Sequence, residues 1–157
     1  MRKSIFIISL VVAMAACTSG NKQSGDACNP TTEQKSKTAS SADDLLGKKW
    51  DLSELNGSPL TLDAMFPGKP YLVFEERNRI AGNLGCNGFG GNLEFKGNNE
   101  IKISEIVATK MACPNLKVEQ AFLEALNTTK SFHVENNTLM LSNENQEVIA
   151  KLEVSAE

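Results

Sequence analysis

Histidine and tryptophan occur once each in this 157-residue chain, and aromatic residues make up only 6% of it. One His leaves no material for His-rich metal sites and little for a nucleophile–His–acid triad. An excess of basic residues is also missing: 16 Lys and Arg face 19 Asp and Glu, for a net charge of −3 and a pI near 5.3. That balance speaks against a dedicated nucleic-acid binder, which needs clustered cations to neutralise phosphates. Hydrophobic residues at 41% and charged residues at 22% exclude a wholly disordered, collagen-like or polytopic membrane chain. No cofactor and no metal is expected from this inventory.

Three segments succeed one another along the chain. Arg2-Lys3, the apolar run Ile5–Met14 and the small pair Ala15-Ala16 have the order of a secretory signal, and the run is too short to span a bilayer. Met14-Ala15-Ala16-Cys17 resembles the bacterial lipobox, with Met14 in place of the usual Leu. Residues 1–16 are therefore expected to be a lipoprotein signal peptide, and Cys17 the lipidated mature N-terminus. Two or three acyl chains at that residue suffice for stable anchoring. Residues 17–43 contain almost no large apolar side chain and read as a flexible polar tether. Removing Arg2 and Lys3 reduces the 16 basic side chains to 14 against 19 acidic ones, a mature net charge of about −5 before the lipid. Thr18, rather than Asp, follows the Cys, which points to the outer membrane rather than the inner.

Residues 44–157 carry periodic apolar runs and form the domain; about 110 residues can bury one core unaided. Tyr71–Phe74 reads as a strand, and Asn78 turns it into Arg79–Ala81. Leu93 and Phe95 alternate with charged residues, and a turn at Lys96–Asn99 leads into Ile101–Ile103 and then Ile106–Thr109. Phe132 and Val134 precede an Asn136-Asn137 turn into Leu139–Leu141, and Val148, Ala150, Leu152 and Val154 share one face of a last strand. Period-two alternation punctuated by Gly and Asn marks an antiparallel, mainly β domain. One segment departs from it. Val118, Ala121, Phe122, Ala125 and Leu126 recur at helical spacing, with Glu119, Gln120 and Glu124 assigned to the polar side, an Asn115 cap before them and Asn127–Thr129 as the end.

With Cys17 lipidated, Cys28, Cys86 and Cys113 remain. In an oxidising envelope the two domain cysteines are the favoured pair, Cys86–Cys113, worth roughly 3–4 kcal/mol by loop closure. Buried free thiols are the alternative, and the absence of Cys-x-x-Cys spacing disfavours a catalytic dithiol. Cys28 is left as an odd thiol. Cys86 itself lies within Gly82–Gly91, the stretch richest in glycine. A phosphate cradle there would need a following Lys-Ser/Thr and a helix start, and neither is present, so tight turns beside a disulfide are expected. Glu75 and Glu76 are adjacent and on a strand face opposite ways. Glu54, Glu105 and Glu119 are isolated in sequence, and His133 alternates outward, so no catalytic constellation is expected.

Taken together, Leu46-Gly47-x-x-Trp50, Gly85-Cys86-Asn87, Thr109-Lys110-Met111-Ala112-Cys113-Pro114 and Glu119-x-x-Phe122-x-x-x-Leu126, in this order, resemble the META domain (HslJ-like) family over Leu46–Val154. Some family members carry tyrosine near Leu93 and Phe132, a departure that touches packing more than chemistry. The resemblance implies a small antiparallel, lipocalin-like β-barrel with one packed helix. It also implies bacterial envelope proteins associated with stress, with no established activity and no catalytic residues to carry over. Two functions fit: a non-enzymatic envelope lipoprotein whose partners are the membrane, through its anchor, and a protein still to be identified; or a binder of a small apolar ligand inside the barrel. Leu72, Phe74, Ile80, Ile101, Ile103, Leu139 and Leu141 are expected to point inward and are large enough to fill a small barrel.

Alkylation of the native, non-reduced protein should leave Cys86 and Cys113 unlabelled by mass analysis; ready labelling of both would exclude the bridge.

Overall fold

The computed structural model describes residues 41–62, 66–76 and 78–156. The signal peptide, Cys17, Cys28 and nearly all of the tether lie outside the described residues. After a 3₁₀ turn at Ala42–Asp44, whose Asp44 carboxylate accepts a hydrogen bond from the Ser41 backbone at 2.7 Å, nine strands and one helix follow. They are β1 (Lys49–Leu55), β2 (Ser58–Pro59), β3 (Tyr71–Glu75), β4 (Arg79–Asn83), β5 (Gly88–Phe95), β6 (Ile101–Ala108), α1 (Leu116–Thr128), β7 (Ser131–Glu135), β8 (Thr138–Ser142) and β9 (Val148–Val154). The strands make one sheet in the order β6-β5-β4-β3-β1-β9-β8-β7, with β2 hanging on β1 and every strand pairing antiparallel.

The sheet curls until its two edge strands meet at one end. Ile101 N donates to the Lys130 carbonyl at 3.0 Å, and Phe132 N donates to the Asn99 carbonyl at 2.9 Å. Helix α1 connects those two edges and turns Phe122, Ala125 and Leu126 into the interior. The result is a small, lipocalin-like half-barrel with one helix, as the resemblance implied, built from the antiparallel strands that the alternation marked. All seven side chains expected inside are at most 5% exposed. Leu93 and Phe132, where some family members have tyrosine, are buried as well.

The hairpins follow from residues that tolerate a left-handed backbone. Asn136 and Asn137 both take positive φ, 51° and 64°, which gives the two-residue turn whose twist suits β7 and β8. Asn56-Gly57, with φ of 50° and 76°, makes the same kind of turn between β1 and β2.

Three local expectations are corrected. Ile101–Ile103 and Ile106–Ala108 belong to one strand, β6, interrupted by a bulge, and Thr109 follows its end. Glu105 has φ of 52°, and the pairing with β5 shifts register between Gly90 and Asn92. The extra residue lets Ile103 and Ile106, three apart, both turn toward the core. Gly91 makes room for it: a Cβ there would stand 3.1 Å from the Ser104 carbonyl oxygen and 3.2 Å from the Ile106 side chain. Asn115 sits at the cap position of α1, yet its side chain makes no capping bond. Its φ and ψ of −93° and 23° are not the extended values that aim a cap side chain at the first turn. Glu119, finally, is not on the polar face. It shares the buried side of α1 with Phe122 and Leu126, three and seven residues on, and is only 4% exposed.

Trp50 anchors the sheet's middle strand. It is fully buried, and its Nε1 donates to the Leu45 carbonyl at 3.1 Å, pinning the chain entering β1. Trp50→Ala should cost about 3–5 kcal/mol through lost burial and the cavity left behind. Urea unfolding followed by circular dichroism should show a correspondingly lower midpoint.

Candidate functional site

The most concentrated polar chemistry lies where the β4–β5 hairpin meets the start of α1. Asn83 organises the turn from Leu84 to Asn87. Its Oδ1 accepts from Gly85 N at 2.7 Å, its Nδ2 donates to the Cys86 carbonyl at 3.3 Å, and Leu84 N donates to the Asn87 carbonyl at 2.8 Å. Gly85 takes φ of 115°, and a Cβ on it would lie 2.6 Å from Asn115 Nδ2, so glycine lets the turn close against the helix start.

Asn87 is the hub. It is 3% exposed, and its backbone N–H and its Nδ2 donate to the two Glu119 carboxylate oxygens at 3.0 and 2.7 Å. Its Oδ1 accepts from Thr109 Oγ1 at 2.8 Å and from Met111 N at 2.7 Å. One side chain thus joins the hairpin, the segment after β6 and the helix. The Gly-rich stretch does hold an anion, but that anion is the protein's own Glu119. Its Leu84, Gly85 and Asn87 N–H groups are already engaged within the protein, which leaves these three unavailable to a phosphate.

The Cys86–Cys113 disulfide runs beside this hub. Cys113 is 7% exposed, whereas Cys86 is only half-buried. Asn87 Nδ2 approaches Cys113 Sγ at 3.6 Å. Both sulfurs and a Glu119 oxygen lie within 4.8 Å of one another, the one such trio among the described residues. Metals take thiolates, not disulfide sulfurs, so the trio as bonded does not offer a metal-ligand set. Asn115 is buried beside it with neither side-chain oxygen nor nitrogen hydrogen-bonded among the described residues.

The other carboxylates are dispersed. Glu54 pairs with Lys151 at 2.8 Å, Glu105 accepts from Asn92 at 2.6 Å, and Glu75 stands 4.0 Å from Arg79. His133 is half-buried on β7 and engaged in an interaction there. Of the acidic residues weighed from the sequence, the fold brings Glu119 alone to the cysteines. Asn87 and Thr109 were missed as a pair. Both stood in recognisable motifs, but no local signal says that they touch.

Comparison with known proteins agrees with this architecture. An NMR structure matches at 24% identity with a TM-score of 0.57, covering 71% of this chain and 92% of that one. A second NMR structure, of a protein from Burkholderia xenovorans, matches at 19% identity with a TM-score of 0.57, covering 92% of this chain and 100% of that one. A crystal structure of a duf4847 family protein from Bacteroides vulgatus matches at 18% with a TM-score of 0.54, covering 73% and 97%. At these identities the likeness is one of fold. No curated protein matches the chain. The META domain model matches residues 43–156, nearly the whole described region. On that match, and on the hairpin–helix joint its motifs build, the chain belongs to the META domain family.

Proposed function

We propose that this protein is a lipid-anchored component of the bacterial cell envelope, sited at the outer membrane, which acts through protein contacts in a stress-related or assembly role and catalyses no reaction. The observation that carries the anchor is Met14-Ala15-Ala16-Cys17 at the end of a basic-then-apolar leader, followed by the polar stretch to Asp43. META proteins are not a known enzyme family, and the carboxylates on β1, β3 and β6 each answer a neighbour on the sheet. The cluster at Cys86, Asn87, Cys113 and Glu119 then serves as a joint that ties the β4–β5 hairpin to α1 within the domain. An acidic surface of about −5 is poorly suited to anionic head groups or DNA.

The ligand-binding alternative needs an open barrel. Its inward residues, Leu72, Phe74, Ile80, Ile101, Ile103, Leu139 and Leu141, already occupy that space, which favours contacts made on the outside.

The anchor is tested by metabolic labelling with an alkyne fatty acid. The native chain should carry label and partition with membranes, and Cys17→Ala should lose both. Crosslinking in intact cells should return a specific envelope partner; recovery of abundant bystanders alone would count against the contact role. The joint makes a separate prediction. Glu119→Ala strips the acceptor from two buried Asn87 N–H groups and should destabilise the domain by about 2–4 kcal/mol, read as a lower urea midpoint with the disulfide intact.

A further inference from the structure

The two ends of the disulfide differ in surroundings. Cys86 lines a surface pocket of about 300 Å³ with Lys49, Pro67, Lys69, Tyr71 and Asn83. Both lysines are exposed over nearly half their side chains, and Lys49 Nζ sits 4.5 Å from the centre of the Tyr71 ring. Asp51, nearly buried, stands 3.7 Å from Lys49 and 3.4 Å from Lys69 and offsets one of the two cations. The pocket mouth therefore keeps a net positive charge. Cys113 faces the other way, into the protein. Its sulfur lies 3.6 Å from Asn87 Nδ2 and 3.5 Å from the Met111 carbonyl oxygen.

We propose that Cys86 is a thiol-exchange site for small anionic thiols. An incoming thiolate enters the lysine-lined pocket and attacks Cys86 Sγ. The new bond joins the incoming sulfur to Cys86, the Cys86–Cys113 bond breaks, and its electron pair leaves on Cys113 as a thiolate. The incoming sulfur is oxidised to the disulfide level while Cys113 is reduced, so no further oxidant is required. Cys113, at 7% exposure, is shielded from an incoming thiolate, so Cys86 is the sulfur attacked and Cys113 the one released. The two Asn87 Nδ2 hydrogens are directed to Glu119 and Met111, and the Glu119 carboxylate opposes a second negative charge within 4.8 Å. The released Cys113 therefore takes a proton from solvent and donates it to the Met111 carbonyl. The pair of lysines sets the preference for negative charge by raising the local concentration of anions. The structure thus assigns the modified residue, the released residue and the charge class of the thiol, beyond the anchoring and contact role proposed above.

The test uses the full-length oxidised protein with glutathione, neutral 2-mercaptoethanol or cationic cysteamine at equal thiolate concentration. Early samples are acid-quenched, alkylated and peptide-mapped. The adduct should fall on Cys86 and the alkyl group on Cys113. Glutathione should react about tenfold faster than cysteamine at low salt, and about 0.5 M salt should narrow that gap. Lys49→Gln and Lys69→Gln, both surface changes, should lower the glutathione rate several-fold without slowing 2-mercaptoethanol. An adduct on Cys113, rates independent of thiol charge, or reaction only in urea would each overturn the proposal.

Discussion

A carboxylate buried at 4% exposure must have its charge answered inside the protein. Here Glu119 meets the backbone and side-chain N–H groups of one residue, Asn87. That demand orders the surrounding chain. Asn87 can present both donors only because the turn before it is closed by Asn83 and glycine. Its remaining oxygen then draws in Thr109 and Met111 from the far end of β6. The disulfide reinforces a junction already specified by hydrogen bonds. Without the carboxylate, α1 would still have an apolar face, but nothing polar would set its rotation and depth against the hairpin.

Residues that answer to a local rule were legible from the sequence. Alternation revealed the strands from Tyr71 onward, paired asparagines revealed the β7–β8 turn, and helical spacing revealed α1. The first strand was visible only within the family motif, because the alternation of Trp50 and Leu52 stops at a bulge between Leu52 and Glu54. The β6 bulge was hidden for a related reason: one inserted residue breaks the period on which strand reading depends. Glu119 was misassigned because a charged residue on a helix is ordinarily solvated. Its true place depends on a partner 32 residues away, and no pattern within the helix reports that. The cysteine pairing was readable as arithmetic, whereas the asymmetry between its two ends belongs to tertiary structure.

The filled interior shifts attention to the outside of the half-barrel. Val107, at 74% exposure, and Met111, at 55%, lie on the outer side of the same junction whose inner side holds Asn87. Apolar side chains on such a rigid support would lose little conformational freedom on contact with a partner.

The middle of the sheet is made from the two ends of the domain. β1 lies between β3 and β9, and Asp51 is joined to Ser155 across 104 residues of chain. A chain that emerges N-terminus first therefore holds its central strand half-paired until β9 appears. Trp50, the largest buried side chain, waits on Val154 and Leu152 for its surroundings. Such non-local pairing folds slowly, and here it delays closure of the core until β9 is free to pair with β1.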